Sequence, residues 1–179
     1  MNKDDLSPKA QENFSVQSYE KSPNIDGVIL KEINSSVDDG GYFMELARMQ
    51  QGVMQEFEGF EVKQVNYSQV LPGTVKAYHL HLNQEDIWFI PPHERLLVVL
   101  NDQRKGSSTE GTTMRFVMGG GKPRLLYIPR GVVHGVTNIG KHPAAIIYFV
   151  NQQFNPENPD EGRLPWDFLG KEIWEITKG

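Results

Sequence analysis

Apolar and polar residues alternate in short runs through the middle of the chain, from residue 60 to residue 150. Turn residues interrupt these runs, among them Leu-Pro-Gly at 71–73, Asn-Asp at 101–102 and Gly-Lys-His-Pro at 140–143. Many short strands at spacings of about 8–12 residues are typical of all-β sandwiches and barrels. The predicted strands cover 60–70, 74–82, 86–90, 95–101, 112–118, 124–128 and 144–151.

The segments on either side of these strands have other patterns. Residues 1–24 are rich in Lys, Asp, Ser, Gln and Pro without a period, which predicts a flexible arm before a single domain over 25–179. Over 42–57 apolar residues recur every three or four positions, which predicts a short amphipathic helix, or a strand leading into one. The aromatic tail over 156–179 should pack against the domain or against a second subunit.

Composition narrows the function classes. The chain of 179 residues has a net charge of −5 and a pI near 5.5, which argues against a nucleic-acid partner. No apolar run approaches the ~20 residues that span a bilayer, and the polar start is unlike a signal peptide, so we expect no membrane partner. The sequence contains no cysteine, which fits a cytoplasmic protein, and any metal would need nitrogen and oxygen ligands.

The candidate chemistry begins with two histidines in the predicted strand over 74–82. Strand alternation places His79 and His81 on one face together with Val75 and Ala77, and turns Lys76 to the other face. If that face lines a barrel, two imidazoles project side by side into a pocket. The alternative is a pair of interior histidines satisfied by hydrogen bonds.

A second histidine segment follows later in the chain. The two segments read Gly73-x5-His-x-His-x3-Glu85 and Pro129-x-Gly-x2-His134-x3-Asn138, and together they resemble the two-part signature of the cupins. The resemblance implies a double-sheet jelly roll with a few short helices. It also offers a metal site for one divalent transition metal, formed by three histidines and one carboxylate: His79, His81, Glu85 and His134.

Stretches outside the histidine segments extend the resemblance. Over residues 26–176 the chain resembles the dTDP-4-dehydrorhamnose 3,5-epimerase family, a branch of the cupins. The segments that carry this resemblance are Asp38–Glu45, Gln64–Ser68, Pro72–His79, Ile128–Gly135, Tyr148–Pro156 and Glu161–Asp167.

The family resemblance implies roles for individual residues. His79 matches the catalytic base and Tyr148 the catalytic acid of an epimerisation beside a keto group. A neutral histidine suits removal of the weakly acidic proton, and pre-positioned donors must stabilise the enolate. Without the resemblance, a strand tyrosine is more often a packing residue. The expected substrate-binding residues are Gln64, Asn66, Lys76, His81, His134 and Glu161.

The sequence also departs from the family pattern. Gly40 and Lys76 stand where the family usually has arginine, and Asp86 stands where it has a lysine that can support the oxyanion. His81 and Glu85 replace residues that are not metal ligands. A carboxylate that orients the catalytic histidine from beyond the usual end of the barrel has no match in the chain.

Three functions therefore stay open at the level of sequence. The first is an isomerase of a nucleotide-linked 4-keto-6-deoxysugar, without a cofactor, in dTDP-rhamnose biosynthesis. The second is a metal-binding cupin, which excludes the first because a metallated His79 is no longer a free base. The third is a sugar-binding cupin without catalytic activity. The segment around Tyr42 and the aromatic tail are expected to form a homodimer.

Overall fold

The computed structural model describes residues 1–17 and 22–176. Its strands, in chain order, are β1 (Ile29–Glu32), β2 (Ser35–Asp38), β3 (Gly41–Met44), β4 (Met49–Gln50), β5 (Val53–Met54), β6 (Gln64–Val70), β7 (Val75–Leu80), β8 (Asp86–Phe89), β9 (Arg95–Asp102), β10 (Thr113–Gly119), β11 (Arg124–Ile128), β12 (Val132–Asn138), β13 (Ala144–Val150) and β14 (Gly162–Arg163). The α-helix α1 (Pro8–Asn13) and two 3₁₀ turns (Lys3–Asp5, Glu172–Trp174) complete the elements.

Ten of these strands form two five-stranded antiparallel sheets that face each other, while β2 pairs with β3 and β4 with β5 in separate two-stranded sheets. The strand order is β1-β11-β8-β13-β6 in the first sheet and β10-β9-β12-β7-β14 in the second. This architecture confirms the all-β jelly-roll expectation. Each strand predicted from alternation overlaps an observed strand, and β9 and β10 each extend one residue beyond the predicted end. β12, within the second histidine segment, is buried along its whole length and pairs with both β9 and β7.

Apolar side chains between the two sheets form the main core. Trp88, Leu96, Leu126 and Val136 are among its buried members. The outer face of the first sheet is covered by Met54, Phe57 and Phe60 from the segment before β6. The outer face of the second sheet is covered by the C-terminal tail, with Trp174 packed against Tyr78, Val99 and Val133. Apolar layers on both sides hold the sheets, and the space left between them becomes the cavity described below.

The helix predicted over 42–57 is wrong. β3, β4 and β5 occupy this segment instead. Gln51 (φ 52°) and Gly52 (φ 85°) adopt left-handed backbone conformations at the turn between β4 and β5, which interrupts any helix there. The spacing of apolar residues in this segment reflects packing on the outer face of the first sheet, not a helical period.

Burial differs along the N-terminal segment. Residues 8–13 form the short helix α1, which buries none of its residues, whereas Ile25 is fully buried in the main core. The flexibility of the arm over 1–24 stays a prediction, as does its boundary. Residues 18–21 of the arm and 177–179 of the tail lie outside the described residues. Across the described ranges, no helix combines the length and apolar character needed to span a bilayer.

Candidate active site

A cavity of ≈ 360 Å³ lies between the two sheets, beside the main core. It contains most of the site residues expected from the sequence. These are Lys76, His79, His81, His134, Tyr148 and Glu161. Gln64 and Asn66 do not line it: they bond to each other (Gln64 Nε2 to Asn66 Oδ1, 2.7 Å) on the half-buried face of β6.

Pairing between β7 and β12 brings the histidines together. His134 lies opposite His79, with ring centroids 5.8 Å apart, and the His81 and His134 rings are 5.1 Å apart. The three imidazoles therefore share one side of the second sheet.

A bulge in β7 corrects the predicted face of this strand. The pairing skips a residue between His134–His79 and Val136–Lys76, so Lys76 lines the cavity with His79, while Ala77 packs on the outside. Gly135 permits this arrangement, since a Cβ there would lie 2.4 Å from the Cβ of Ala77. Alternation failed here because a bulge shifts the side-chain period by one residue.

His79 stands at the mouth of the cavity. We use the term mouth for His79, Glu161 and Arg163. The Nδ1 of His79 lies 3.4 Å from Glu161 Oε2, and its Nε2 lies 2.5 Å from an Arg163 guanidinium nitrogen. Burial and the nearby Arg163 cation lower the pKa of His79 to about 4. His79 is therefore neutral at physiological pH and able to accept a proton.

Glu161 supplies the carboxylate for which the sequence offered no match. It was expected to contact substrate, and the structure places it beside His79 Nδ1. A carboxylate in this position favours the tautomer with the proton on Nδ1, which leaves the Nε2 lone pair directed toward the cavity.

Tyr148 enters the cavity from the other sheet. It lies on β13, whereas His79 lies on β7, so the two side chains approach a bound molecule from different sides. Burial raises the pKa of the Tyr148 hydroxyl, and the nearby carboxylates of Asp86 and Glu161 raise it further. The hydroxyl is thus kept protonated, as a general acid must be.

The floor of the cavity, defined as His81, Asp86 and His134, is almost inaccessible to solvent. Asp86 Oδ2 lies 4.0 Å from His81 Nε2 and 3.9 Å from His134 Nε2. Desolvation lowers the pKa of His134, which keeps it neutral. Ligand atoms of these three residues all lie within 4.8 Å of one another.

Glu85 does not join the histidines, so the expected three-histidine, one-glutamate set is wrong. Its carboxylate accepts a hydrogen bond from Asn151 Nδ2 (3.1 Å), and its side chain does not line the cavity. The carboxylate among the imidazoles belongs to the next residue, Asp86. β8 begins at Asp86, and the pleat turns consecutive side chains to opposite faces.

Sequence reasoning missed Arg163, although Glu161 beside it was recognised. Arg163 lies opposite His79 in the two-residue strand β14, which is too short to leave a periodic signal. Gly162 allows the close approach, because a Cβ there would lie 2.6 Å from the Leu80 carbonyl oxygen. Gln84, which lines the cavity beside Asp86, was also missed because it precedes β8 in a loop.

Comparison with known proteins gives independent information on the family and the fold. A family model described as dTDP-4-dehydrorhamnose 3,5-epimerase matches residues 22–169. The spore coat polysaccharide biosynthesis protein SpsL of Bacillus subtilis (strain 168) is 43% identical over 80% of this chain and 91% of its own length. The probable low-salt glycan biosynthesis epimerase Agl13 of Haloferax volcanii is 32% identical, over 81% of this chain and 90% of its own.

A solved structure supports the same relationship. The crystal structure of a dTDP sugar isomerase from Desulfovibrio desulfuricans G20 superposes with a TM-score of 0.70 at 25% identity, covering 86% of this chain and 91% of that one. Together these matches confirm the resemblance and the enzyme class expected from the sequence. The chain belongs to the dTDP-4-dehydrorhamnose 3,5-epimerase family, whose members are isomerases of nucleotide sugars.

Proposed function

We propose that the protein epimerises a nucleotide-linked 4-keto-6-deoxysugar at carbon beside the keto group, with His79 as base and Tyr148 as acid. The observation that carries the proposal is that these side chains enter one cavity from opposite sheets. Inversion requires that a proton leave one face of the sugar and return to the other. Two groups on opposite walls provide that arrangement.

His79 has the features of a general base. Its lowered pKa keeps the imidazole neutral, and Glu161 holds the Nδ1 proton, so Nε2 is the accepting atom. Arg163 donates to Nε2 in the structure. The Arg163 side chain is 59% exposed at the mouth and is long enough for its guanidinium to turn from Nε2 to a substrate oxygen when the sugar binds.

Lys76 and Arg163 are the cationic side chains that line the cavity. Arginine and lysine bind phosphate groups, and a guanidinium can form a bidentate contact. These two residues support a nucleotide diphosphate as the carrier of the sugar. They also supply candidate donors for the enolate oxygen, at a site where the family's lysine is replaced by Asp86.

The names of the relatives suggest the purpose of the product. One is assigned to spore coat polysaccharide biosynthesis and another to low-salt glycan biosynthesis. We infer that this chain supplies an epimerised deoxysugar for a surface polysaccharide, with a dTDP-linked sugar on the route to rhamnose as the first candidate. The proton transfers at His79 and Tyr148 need no cofactor, and the cytoplasmic location stays a prediction.

Homodimer formation also remains a proposal. The hairpin of β2 and β3 leaves Val37, Tyr42 and Phe43 exposed. In the tail, Trp174 is buried while Trp166 and Phe168 stay exposed. Exposed apolar side chains of this size favour burial against a second copy. Sedimentation velocity at micromolar concentration should give a dimer, and a monomer would contradict the proposal.

Solvent exchange tests the catalytic assignment. The protein is incubated in deuterium oxide with a dTDP-linked 4-keto-6-deoxyhexose, and deuterium beside the keto group is measured by NMR. His79→Ala should slow exchange by about 10²–10⁴-fold because it removes the base. Tyr148→Phe should keep the exchange but lower the yield of inverted sugar by a similar factor.

His93→Ala provides the matched control, because His93 is an exposed histidine outside the cavity. It should exchange at the wild-type rate. Unchanged exchange in His79→Ala, or equal loss in His93→Ala, would show that His79 is not the base. Loss of both exchange and inversion in Tyr148→Phe would show that Tyr148 does not act only as the acid that returns the proton.

A further inference from the structure

The proposed proton transfers do not use the three ionisable residues at the floor of the cavity. The side chains of His81, Asp86 and His134 are 5%, 4% and 3% exposed, respectively. They come from three different strands or loops and meet at one point. Buried titratable groups of this kind are costly unless something satisfies them.

Backbone hydrogen bonds fix the orientation of both imidazoles. His134 Nδ1 donates to the Val132 carbonyl oxygen at 3.0 Å, and His81 Nδ1 donates to the Asp160 carbonyl oxygen. Each ring therefore carries a proton on Nδ1, and its Nε2 lies on the side of Asp86, about 4 Å from Oδ2. Histidines that bind metals are oriented in this way, by a carbonyl or carboxylate that accepts from the other ring nitrogen.

Among the described residues, the carboxylate of Asp86 accepts hydrogen bonds only from neutral donors. Trp88 Nε1 donates to Oδ2 at 3.0 Å and Gln84 Nε2 donates to Oδ1 at 2.8 Å. The two Nε2 atoms lie 4.0 and 3.9 Å from Oδ2, beyond hydrogen-bond distance. Three electron-pair donors thus lie within 4.8 Å of one another, and a cation is the species that such a set attracts.

We propose that His81, Asp86 and His134 bind one divalent first-row transition metal ion. Two imidazoles and one carboxylate suit zinc and iron-type ions, and they leave further coordination positions open to the cavity. Metal–ligand bonds of about 2.0–2.2 Å place tetrahedral ligand atoms roughly 3.4 Å apart. The two nitrogen–oxygen separations of 4.0 and 3.9 Å therefore need to close by about half an ångström. The two imidazole nitrogens, which lie within 4.8 Å of each other, must approach to the same distance.

Gln84 is the nearest candidate for a fourth ligand. Its amide lies 3.3 Å from His81 Nε2 as well as beside Asp86. The amide nitrogen bridges these two acceptors in the metal-free arrangement. Turning the amide over would present its oxygen to the ion.

This site leaves His79 free. The metal set expected from sequence used His79 and Glu85, and it excluded a base at His79. The structural set uses Asp86 and needs neither residue. A bound divalent ion adds two positive charges to the floor, in a cavity where the proposed reaction develops an enolate. Base and metal can therefore act in one enzyme.

Cobalt and zinc titrations test the site on the intact protein, independently of any sugar. Protein purified without metal-affinity resin is dialysed against a chelator, then titrated with Co²⁺ while visible absorption is recorded. We expect one equivalent to bind with ligand-field bands, and one equivalent of Zn²⁺ to displace it. Asp86→Asn, His81→Ala and His134→Ala should each weaken Co²⁺ binding by about 10²-fold or more.

Two histidine variants serve as controls. His79→Ala and His93→Ala should keep the wild-type Co²⁺ spectrum, since neither residue belongs to the set. Circular dichroism of each variant verifies folding, and Asp86→Asn conserves side-chain shape. Failure of wild type to bind one equivalent, or loss of binding in His79→Ala but not in Asp86→Asn, would overturn the proposal. Metal binding is measured by absorption, so the outcome of this test does not depend on whether the protein exchanges deuterium into a sugar.

Discussion

Two buried carboxylates in the same pair of sheets have opposite surroundings. Asp102, at the end of β9, accepts two hydrogen bonds from the Arg104 guanidinium at 2.8 Å and one each from Ser107 Oγ and Thr109 Oγ1 at 2.7 Å. Asp86, at the start of β8, accepts from the neutral groups of Trp88 and Gln84 and faces two imidazole nitrogens near 4 Å.

The difference separates charges that hold the fold from charges that are available for chemistry. Arg104 neutralises Asp102 and also donates to the Asp26 carbonyl oxygen at 2.7 Å, which holds residue 26 beside the end of β9. We call Asp102 and its donors Arg104, Ser107 and Thr109 the Asp102 cluster. The hydrogen bonds from Arg104 hold the pKa of Asp102 well below its usual range, despite burial. No equivalent cation bonds to Asp86 in the described structure, which leaves that carboxylate able to hold an incoming ion.

Removal of the Asp102 charge should have the largest effect on stability. Asp102→Asn leaves the guanidinium of Arg104 without its carboxylate, and breaking a buried pair typically costs about 3–5 kcal/mol. Urea unfolding should show this loss in the free energy of unfolding. Deuterium exchange per folded molecule should stay at the wild-type level. A loss of exchange in folded Asp102→Asn protein would mean that the Asp102 cluster also shapes the cavity.

Glu161→Gln should affect the rate and not the stability. The amide no longer favours the Nδ1 proton of His79 or stabilises the imidazolium that forms on proton removal. We expect deuterium exchange to slow by about 10–10²-fold, less than on loss of His79 itself. Urea unfolding should be unchanged within about 0.5 kcal/mol, because the mouth is partly exposed. A large loss of stability with normal exchange would show that Glu161 stabilises the fold and does not assist His79.

Acid should reduce the stabilisation that the Asp102 cluster contributes to the folded protein. The pKa of Asp102 is lower in the folded protein than in the unfolded chain, so the unfolded state takes up its proton first as the pH falls. The stabilisation is complete above the unfolded value of about 3.9 and is lost as the pH falls toward the folded value. Below about pH 4 the melting temperature should therefore fall more steeply for wild type than for Asp102→Asn. Parallel curves would contradict this source of stability.

Asp86→Asn should have the smallest effect on stability. It removes a buried charge that has no cationic partner among its hydrogen-bond donors, and it keeps the shape of the side chain. In metal-free protein the free energy of unfolding should change by no more than about 1 kcal/mol, or should increase. Added Zn²⁺ should raise the melting temperature of wild type and not of the variant. A loss as large as that of Asp102→Asn would show that Asp86 is a structural charge.

The sequence by itself determined the fold class and much of the site. Period-two alternation predicted the main strands because one face of each is buried, and burial leaves a pattern in the residue types. Two histidine segments at fixed spacing identified the imidazoles that the sheets bring together. The family segments pointed to Tyr148 and Glu161, which line the same cavity.

Only the tertiary structure decided which atoms meet. A bulge made possible by Gly135 turned Lys76 inward, and a start of β8 at residue 86 exchanged Glu85 for Asp86 beside the imidazoles. A two-residue strand brought Arg163 to His79. Each outcome depends on where a strand begins and how it pairs, and one residue of difference moves a side chain to the other face without changing composition. The sequence therefore gives the inventory of groups, whereas strand register decides which of them share a site.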